Sequence, residues 1–427
     1  MNSKIFIKFL IYFNFIILQF FNSILSHANT LTHSILSDYE ITACSNIELS
    51  YFYDNKSNNN NYYSRARIRP KLNANLLQKF QLIAEGDFQC DTDGLATGIV
   101  DDYPENENLW SVRFTEFYIQ YVNNNLQIDI GKKIYDWSLT DTISPSDNIS
   151  PREWTELTNW ERIGVPSLGI RLGSTSFIEF VYLPYFTPSK IQKNQDRWAP
   201  SVPSNVSWSD TKLIQKQTDQ FASRIGTTWN SFDLAITYFN GASTSPSYKI
   251  TPDLNSALIE PKYFKEEVIS ITGAREIMTC VARTEIGYFN QDGEEDFIQY
   301  VIGVDKDWPN LFIHGDSLYT MIQYCDEPWS DNTRQSNFSK SNDYRRLFNN
   351  SILGKIDYSF NSEKINFIID YSYNLNKFSN YIEPMIKFIL NDTDIEIGLT
   401  IFQGDKNTFF GNLNDRDRIF LRLTQNF

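Results

Sequence analysis

Histidine, the side chain that most often transfers protons in enzymes, is scarce in this sequence. The 427 residues include only 3 His, and two of them, His27 and His33, precede the segment expected to fold. His314 shares a strand face with Asp316, but there is no G-x-S-x-G nucleophile setting, H-E-x-x-H motif or phosphate-binding glycine loop beside it. We therefore expect no catalytic activity, no bound metal and no cofactor.

Long apolar segments are absent after the N-terminus, although hydrophobic residues make up 41% of the chain. Because a membrane helix needs about 20 consecutive apolar residues, the sequence excludes a bundle of transmembrane helices. An excess of positive charge is also missing, since the formal net charge is −14. This balance argues against a nucleic-acid partner.

Cysteine is sparse as well, and Cys44, Cys90, Cys280 and Cys325 match no metal-ligand spacing. An exported chain meets an oxidising compartment, where one or two disulfides can form. Unpaired, buried thiols are the alternative, which we favour for Cys280.

The N-terminus carries early lysines, an apolar stretch over Phe9–Leu25 and small residues in Ser26-His27-Ala28. This order is typical of a signal peptide, which we place at residues 1–28. An uncleaved anchor helix is the alternative, because the apolar stretch is long for a leader. Residues 29–44 then form a periplasmic lead-in.

Polar and apolar residues alternate along much of the remaining chain. In Tyr63–Lys71, four basic side chains share one strand face: Arg65, Arg67, Arg69 and Lys71. The same period of two occurs in further segments: 126–130, 365–373, 395–401 and 417–427. Because successive strand side chains point to opposite faces, this period predicts amphipathic strands rather than helices.

Two lengths of connection alternate between these strands. The short ones are rich in turn residues and comprise 73–75, 123–125, 173–175, 273–276, 361–363 and 391–393. The long ones comprise 89–109, 135–166, 184–220, 241–261, 326–347 and 404–416. Outer-membrane barrels have short periplasmic turns and long outer loops, whereas a soluble β-sandwich gives no reason for this alternation. The pattern predicts an all-β fold, a single transmembrane antiparallel β-barrel over residues 45–427.

The predicted barrel has about eighteen strands, an even number as closure of an antiparallel sheet requires. This count holds if Tyr263–Thr272 is a strand and Gly273–Glu276 is its turn. Sixteen is the alternative, because Tyr263–Thr272 alternates poorly and the connection Asn290–Gly293 is tight. Either number leaves a lumen wide enough for water.

The C-terminal segment Asp417–Phe427, DRIFLRLTQNF, reads as the closing strand of such a barrel. Its apolar face carries Ile419, Leu421, Leu423 and Phe427, and its polar face carries Arg418, Arg422, Thr424 and Asn426. The terminal Phe427 resembles the signal read by the barrel assembly machinery, which we expect as a partner together with outer-membrane lipid. An ordinary sandwich strand that ends the protein is the alternative.

Two blocks of the sequence carry a family pattern. The first block lies within Leu126–Trp198 and includes Gly131, Lys132, Trp137, Asp141, Pro145, Asp147, Pro166, Pro184 and Phe186. The second comprises residues 283–288 and 300–306 with Trp308. These blocks resemble a large family of Gram-negative outer-membrane barrel proteins of unknown function and, more distantly, alginate-export barrels. Lys133 and Ser138 depart from the pattern. The resemblance implies a porin-like barrel and supplies no solute.

The segment 135–166 is too long and too patterned for a plain spacer. We predict that it folds into the lumen and narrows it, because channel barrels commonly carry inward loops. The constriction candidates are Trp137, Asp141, Pro145, Asp147, Trp154 and Trp160. An outer loop packed on its own side chains is the alternative.

The four basic residues of the second strand, which we call the basic ladder, are selectivity candidates: Arg65, Arg67, Arg69 and Lys71. Rows of basic side chains attract anions in anion pores. Barrel closure is predicted to bring the ladder beside Arg418 and Arg422. Pairing with acids such as Glu48 and Asp370, or with lipid phosphates, is the alternative. Arg283 and Glu285 share a strand face and are predicted to form an ion pair. Together with Arg418 and Arg422 they are further lumen and selectivity candidates.

The predicted function is an outer-membrane channel of a Gram-negative bacterium that passes small or anionic solutes. A surface-binding or structural barrel with a plugged lumen is one alternative. A transporter of hydrophobic ligands is another, although the polar inner faces argue against the apolar pocket that it needs.

Overall fold

The computed structural model describes most of the chain after the N-terminal region: residues 36–53, 61–76, 79–93, 110–156, 158, 160–192, 197–198, 206–208, 219–252, 257–292, 295–330 and 344–427. The predicted signal peptide and most of the predicted loop 89–109 lie outside these ranges. Among the described residues, no helix is both long and apolar enough to cross a membrane.

The described residues contain 21 strands, numbered β1 to β21 along the chain, and eighteen of them form one antiparallel sheet that closes on itself. They are β1 (Leu36–Phe52), β2 (Tyr62–Leu76), β3 (Phe80–Asp91), β4 (Trp110–Asn123), β5 (Leu126–Lys133), β6 (Val165–Gly173), β7 (Ser176–Leu183), β9 (Gln220–Trp229), β10 (Phe232–Ala242), β13 (Lys265–Ile277), β14 (Cys280–Gln291), β15 (Phe297–Pro309), β16 (Ser317–Ser330), β17 (Ser351–Phe360), β18 (Ile365–Asn374), β19 (Ser379–Leu390), β20 (Thr393–Gly404) and β21 (Arg418–Asn426). Closure follows from β1, which pairs with both β2 and β21. The predicted barrel and the count of eighteen strands are confirmed.

The barrel reverses the burial pattern of a soluble protein. Large apolar side chains are exposed on its outer face, including Ile225, Ile236, Ile269, Ile271, Ile302 and Ile322. Polar side chains of neighbouring strands are buried inside, including Ser270, Thr272, Glu285, Gln299, Gln323 and Thr400. A closed sheet satisfies its own backbone hydrogen bonds, so this arrangement suits a surround of hydrocarbon.

A β-bulge interrupts the alternation in β4. Glu85 of β3 pairs with Glu116, and the next residue, Gly86, pairs with Phe114, which leaves Thr115 as the extra residue. The exposed apolar residues change parity across this point: Trp110, Val112 and Phe114 before it, and Phe117 and Ile119 after it. The extra residue keeps both halves of the strand apolar side out.

Several predicted boundaries are wrong, three of them by the largest margins or within strands. β1 begins at Leu36, so the second half of the predicted lead-in 29–44 is strand. The predicted turns 73–75 and 273–276 lie inside β2 and β13. The β13–β14 turn instead contains Met278, whose φ is 58°. These segments stay in strands despite their turn-type residues because the neighbouring strands pair with their backbone. Gly273 is not required there for steric reasons, since a Cβ at this position would meet the Leu234 side chain at an ordinary contact distance of 3.5 Å.

The long connections carry structure that the sequence did not predict. Three short strands, β8 (Val206–Trp208), β11 (Ser247–Pro252) and β12 (Ala257–Lys262), form a separate small sheet. Short 3-10 helices occupy Tyr344–Arg346 and Phe410–Leu413. Loop and strand side chains together form a buried apolar cluster inside the barrel that includes Phe52, Trp154, Trp198, Tyr344, Phe402 and Phe410.

Candidate functional site in the barrel interior

The connection between β5 and β6, residues 134–164, turns into the barrel, and we call it the inner loop. Glycines at its two ends permit this turn. Gly131 has a φ of +136°, and a Cβ there would lie 2.4 Å from the Phe117 carbonyl oxygen. A Cβ at Gly164 would lie 2.2 Å from the Thr115 carbonyl oxygen. Both ends therefore pass against the bulged part of β4, where only glycine fits.

The Glu285 carboxylate of β14 anchors the first half of the inner loop. Its Oε1 accepts hydrogen bonds from the backbone N–H groups of Leu139 and Thr140, at 2.6 and 2.7 Å, and from the Thr140 hydroxyl at 2.9 Å. Its Oε2 accepts from the hydroxyls of Ser144 and Ser146, at 2.6 and 2.7 Å. Several donors on one buried carboxylate can replace its lost hydration.

The predicted ion pair between Arg283 and Glu285 is wrong. The Arg283 guanidinium instead donates to Asp305 of β15, with Nε 2.6 Å from Oδ1. Glu285 is fully buried and, among the described residues, forms no ion pair. The two side chains share a strand face, but the inner loop supplies so many neutral donors that Glu285 needs no cation.

Further contacts hold the turn of the inner loop on the same wall. The Ser270 hydroxyl of β13 donates to the Pro145 carbonyl at 2.8 Å. The Gln323 amide of β16 donates to the Asp141 carboxylate at 2.8 Å. Both predicted candidates, Asp141 and Pro145, therefore lie inside the barrel, with Asp141 exposed to the lumen and Pro145 buried.

Asp147 organises the loop from within. Its carboxylate pairs with Arg152 at 3.2 Å and with Arg162 at 2.8 Å. Burial raises the pKa of Asp147, and the two guanidinium groups oppose that rise. Arg162 also reaches Asp136 at 2.7 Å. Asp147 thus ties together the two halves of the inner loop.

The three candidate tryptophans pack in two places. Trp137 is buried in an apolar cluster with Tyr135 and Phe289. Trp154 stacks on Tyr344, with ring centroids 4.8 Å apart, and lies 5.0 Å from Trp160. Each tryptophan is therefore packed against aromatic or apolar neighbours inside the barrel.

Arg65 and Arg67, which we call the upper basic ladder, anchor the second half of the inner loop. Arg65 lies 2.9 Å from Glu48 of β1 and also pairs with Glu156 of the inner loop. Arg67 forms a two-pronged contact with Asp87 of β3, at 2.6 and 2.7 Å. Both guanidinium groups are buried. The alternative that the ladder pairs with acids such as Glu48 is therefore what the structure shows for these two residues.

Arg69 and Lys71, which we call the lower basic ladder, are more open. The Arg69 side chain is 28% exposed and pairs with Glu161 of the inner loop. The Lys71 side chain is 40% exposed, with Nζ 3.7 Å from Glu85. These two cations remain accessible from the lumen, although each has a carboxylate nearby.

The barrel seam contains a buried ionic cluster. Glu48 lies directly opposite Arg65 of β2 and Arg422 of β21. Its carboxylate is 2.7 Å from Arg418 and 3.3 Å from Arg422. Glu156 of the inner loop reaches Arg418 at 3.1 Å. Closure does bring the ladder close to Arg418 and Arg422, with Glu48 between them.

Two cavities of at least about 300 Å³ lie beside the described part of the inner loop. The outer chamber, of about 300 Å³, is lined by Asp141, Trp160, Phe348, Tyr381 and Phe410 among others. The inner chamber, of about 340 Å³, is lined by Cys44, Arg65, Arg67, Arg69, Glu161 and Arg422 among others. Both chambers are also lined by Thr158, Asp370 and Glu383. The chambers therefore adjoin one another between the inner loop and strands β18 and β19.

Several of these residues were not predicted as site residues, notably Glu156, Glu161, Asp370 and Glu383. The alternation of β18 predicts that Asp370 lies on the polar face, so its position inside the barrel could have been found from the sequence. Glu156 and Glu161 belong to a loop without periodic structure, and no local pattern indicates which wall they contact.

The cysteines were expected either to form disulfides or to remain as unpaired thiols. All four cysteines are unpaired, and Cys280 is half-buried rather than buried.

Phe427 exchanges backbone hydrogen bonds with Ala43, at 2.8 and 3.2 Å. Its side chain is 49% exposed. Phe427 thus extends the pairing of β21 with β1.

No family model matches the sequence, and no curated protein matches it, so the resemblance to the family of unknown function is not confirmed. The structure is similar to OccAB1 of Acinetobacter baumannii, with a TM-score of 0.55 and 8% identity over 92% of this chain and 97% of that chain. It is also similar to OccK2 (OpdF) of Pseudomonas aeruginosa in complex with glucuronate, with a TM-score of 0.52 and 10% identity over 92% and 99%.

A third similar structure is OccK1 (OpdK) of Pseudomonas aeruginosa, with a TM-score of 0.51 and 9% identity over 92% of this chain and 100% of that chain. OpdK is an outer membrane protein. At such identities the similarity concerns the fold. This chain therefore shares the closed β-barrel fold of these three proteins across nearly its whole length.

Proposed function

We propose that this protein is a porin-like channel in the outer membrane of a Gram-negative bacterium, through which small solutes diffuse past the inner loop. One observation carries the proposal: the outer and inner chambers share Thr158, Asp370 and Glu383 as lining residues. Adjoining polar cavities inside a closed barrel offer a route for water-soluble molecules. The inner loop narrows this route.

The membrane location is supported by the outer face of the barrel. Exposed isoleucines cover β9, β10, β13 and β15, as expected for strands that face lipid. A structurally similar protein, OpdK, is an outer membrane protein. In this proposal residues 1–28 direct export, and the barrel assembly machinery recognises Phe427. Removing Phe427 should lower the fraction of assembled barrel in outer-membrane preparations, and an unchanged fraction would refute that role.

Small anionic solutes are the finer part of the proposal. Arg69 and Lys71 keep exposed side chains toward the lumen, and cationic walls favour anion entry. The structure of OccK2 contains glucuronate, a carboxylate. Both observations support a preference for small carboxylates over cations of the same size.

Planar bilayer recording tests the proposal. Purified barrel that shows a compact, heat-modifiable band on gels should produce steady single-channel steps. Ion selectivity is then measured in a salt gradient for the native protein and for Arg69→Gln, which removes an exposed cation. Steps without any change in selectivity would retain the channel and reject the anionic preference.

A plugged barrel that binds a partner at the surface is the second candidate function. It is favoured by the buried apolar cluster that loop side chains form inside the barrel. This candidate predicts a folded, heat-modifiable protein that is electrically silent in bilayers. The same recordings therefore separate the two functions.

A further inference from the structure

We infer that Glu161 of the inner loop determines the charge selectivity of the inner chamber by acting as a built-in counter-anion for the lower basic ladder. The inference rests on the proposed channel function. It assigns to one loop residue the balance between anionic and cationic solutes. Its solute class is the small carboxylate, whose head group has the same chemistry as the Glu161 side chain.

The contacts of Glu161 support this role. Its Oε2 lies 2.8 Å from Arg67 and also pairs with Arg69. Arg67 has a second partner, the two-pronged contact with Asp87. For Arg69 the second carboxylate, also Asp87, is 3.7 Å away. Loss of the Glu161 charge would therefore leave Arg69 as the least compensated of the cations that line the inner chamber.

The other cations of the inner chamber are held independently of Glu161. Arg65 and Arg422 both contact Glu48, which is fully buried at the seam. Glu156 is buried between Arg65 and Arg418, so it stabilises the loop rather than facing the lumen. Glu161 differs because its side chain is 27% exposed and lines the inner chamber. A solute carboxylate that reaches the chamber thus competes with Glu161 for Arg69.

A native thiol reports the local charge. Cys44 lies directly opposite Arg69 in the β1–β2 ladder and lines the same chamber. Its rate of modification can be compared for anionic sulfonatoethyl methanethiosulfonate and cationic trimethylammonioethyl methanethiosulfonate. Each reagent forms a mixed disulfide with the Cys44 thiolate and releases methanesulfinate. A Cys44→Ser variant corrects for reaction at the other three thiols.

Glu161→Gln should raise the ratio of anionic to cationic modification rates about sixfold, the effect of one unit charge at about 8 Å in water on probes of opposite sign. The reversal potential in a KCl gradient should shift toward anion permeation. Arg69→Gln should move both readouts in the opposite direction. Glu363→Gln, the same chemical change at an exposed turn residue, should move neither.

The outcomes separate this inference from the channel proposal. If Cys44 reacts with both reagents and neither Glu161→Gln nor Arg69→Gln changes the ratio, the inference is overturned and the channel stands. If Cys44 is unreactive and the bilayer is silent, solutes do not reach the inner chamber, and both fail. The gel-shift assay confirms folding of each variant, and Arg69→Gln decides the matter if Glu161→Gln does not fold.

Discussion

The two halves of the inner loop are fixed to opposite walls of the barrel by opposite chemistry. In the first half the wall supplies the charge, the Glu285 carboxylate, and the loop supplies neutral hydroxyl and backbone donors. In the second half the loop supplies carboxylates, including Glu156 and Glu161, and the wall supplies the arginines of the ladder. One attachment is a set of hydrogen bonds, and the other is a set of ion pairs.

This difference separates a fixed point from an adjustable one. Hydrogen bonds from neutral donors to a buried carboxylate contain no second ionisable partner. Ion pairs respond to pH, and their exposed members also respond to salt. The second half of the inner loop is therefore the part whose charge balance salt can alter, and it is also the half that lines the inner chamber.

Replacing Glu285 should have the largest effect, because it removes the acceptor for several buried donors at once. Glu285→Ala should destabilise the barrel by about 3–9 kcal/mol, given roughly 1–3 kcal/mol for each of three donors left unsatisfied, the N–H groups of Leu139 and Thr140 and the hydroxyl of Ser144. Urea unfolding followed by tryptophan fluorescence measures this loss. Glu285→Gln, which keeps one acceptor oxygen, is the matched control and should lose less. An equal loss in both would mean that charge alone anchors the first half.

Breaking the ladder wall should come next. Arg65→Met leaves Glu48 and Glu156 buried without one of their cations, and removal of one partner from a buried pair costs about 3–5 kcal/mol. The temperature at which the compact gel band converts to the unfolded one should fall. Lys71→Met, at the exposed end of the same ladder, is the control and should cost under about 1 kcal/mol. A similar fall in both variants would show that burial of the ladder is irrelevant.

Acid should weaken the ionic half through Glu153. Burial alone would raise the pKa of Glu153, but Arg113, 2.7 Å away, and Lys190 hold it at about 2, below its usual 4.5. A carboxyl with a lowered folded-state pKa stabilises fully above its unfolded value and loses that stabilisation as pH falls through the folded value. The contribution, up to about 3 kcal/mol, should therefore disappear between pH 4.5 and 2.

The measurement for this prediction is unfolding free energy against pH for the native protein and for Glu153→Gln. The difference between the two curves should be constant above pH 4.5 and shrink below it. A difference that stays constant down to pH 2 would show that the charge of Glu153 does not contribute to the attachment of the inner loop.

Much of the barrel could be predicted because its period of two is local and repeated. The face of Arg65, Arg67, Arg69 and Lys71 is set by spacing alone, and lipid outside forces the polar face inward. The bulge at Thr115 is also visible in the sequence of β4, where the outward aromatic residues change from even to odd positions, but it was not predicted. The turn positions were predicted less accurately than the strand faces. Gly273, for example, favours a turn locally, but the neighbouring strands hold it in the sheet.

The partners of the site residues could not be predicted, because they depend on where an aperiodic loop meets a distant wall. Arg283 and Glu285 share a face, and that proximity suggested a pair. The outcome depended instead on Thr140 and Ser146, which the fold brings to Glu285 from more than a hundred positions away. Local spacing sets the direction of a side chain, whereas chain topology sets its partner.

The ionic cluster at the seam has a consequence for the order of events during synthesis. Glu48 is made early, and its partner Arg418 follows 370 positions later. Until the final strand arrives, the N-terminal strand holds a carboxylate that its earlier neighbour Arg65 neutralises only in part. A chain truncated before its last strand would keep that mismatch permanently, so the cluster distinguishes a finished cylinder from an unfinished one.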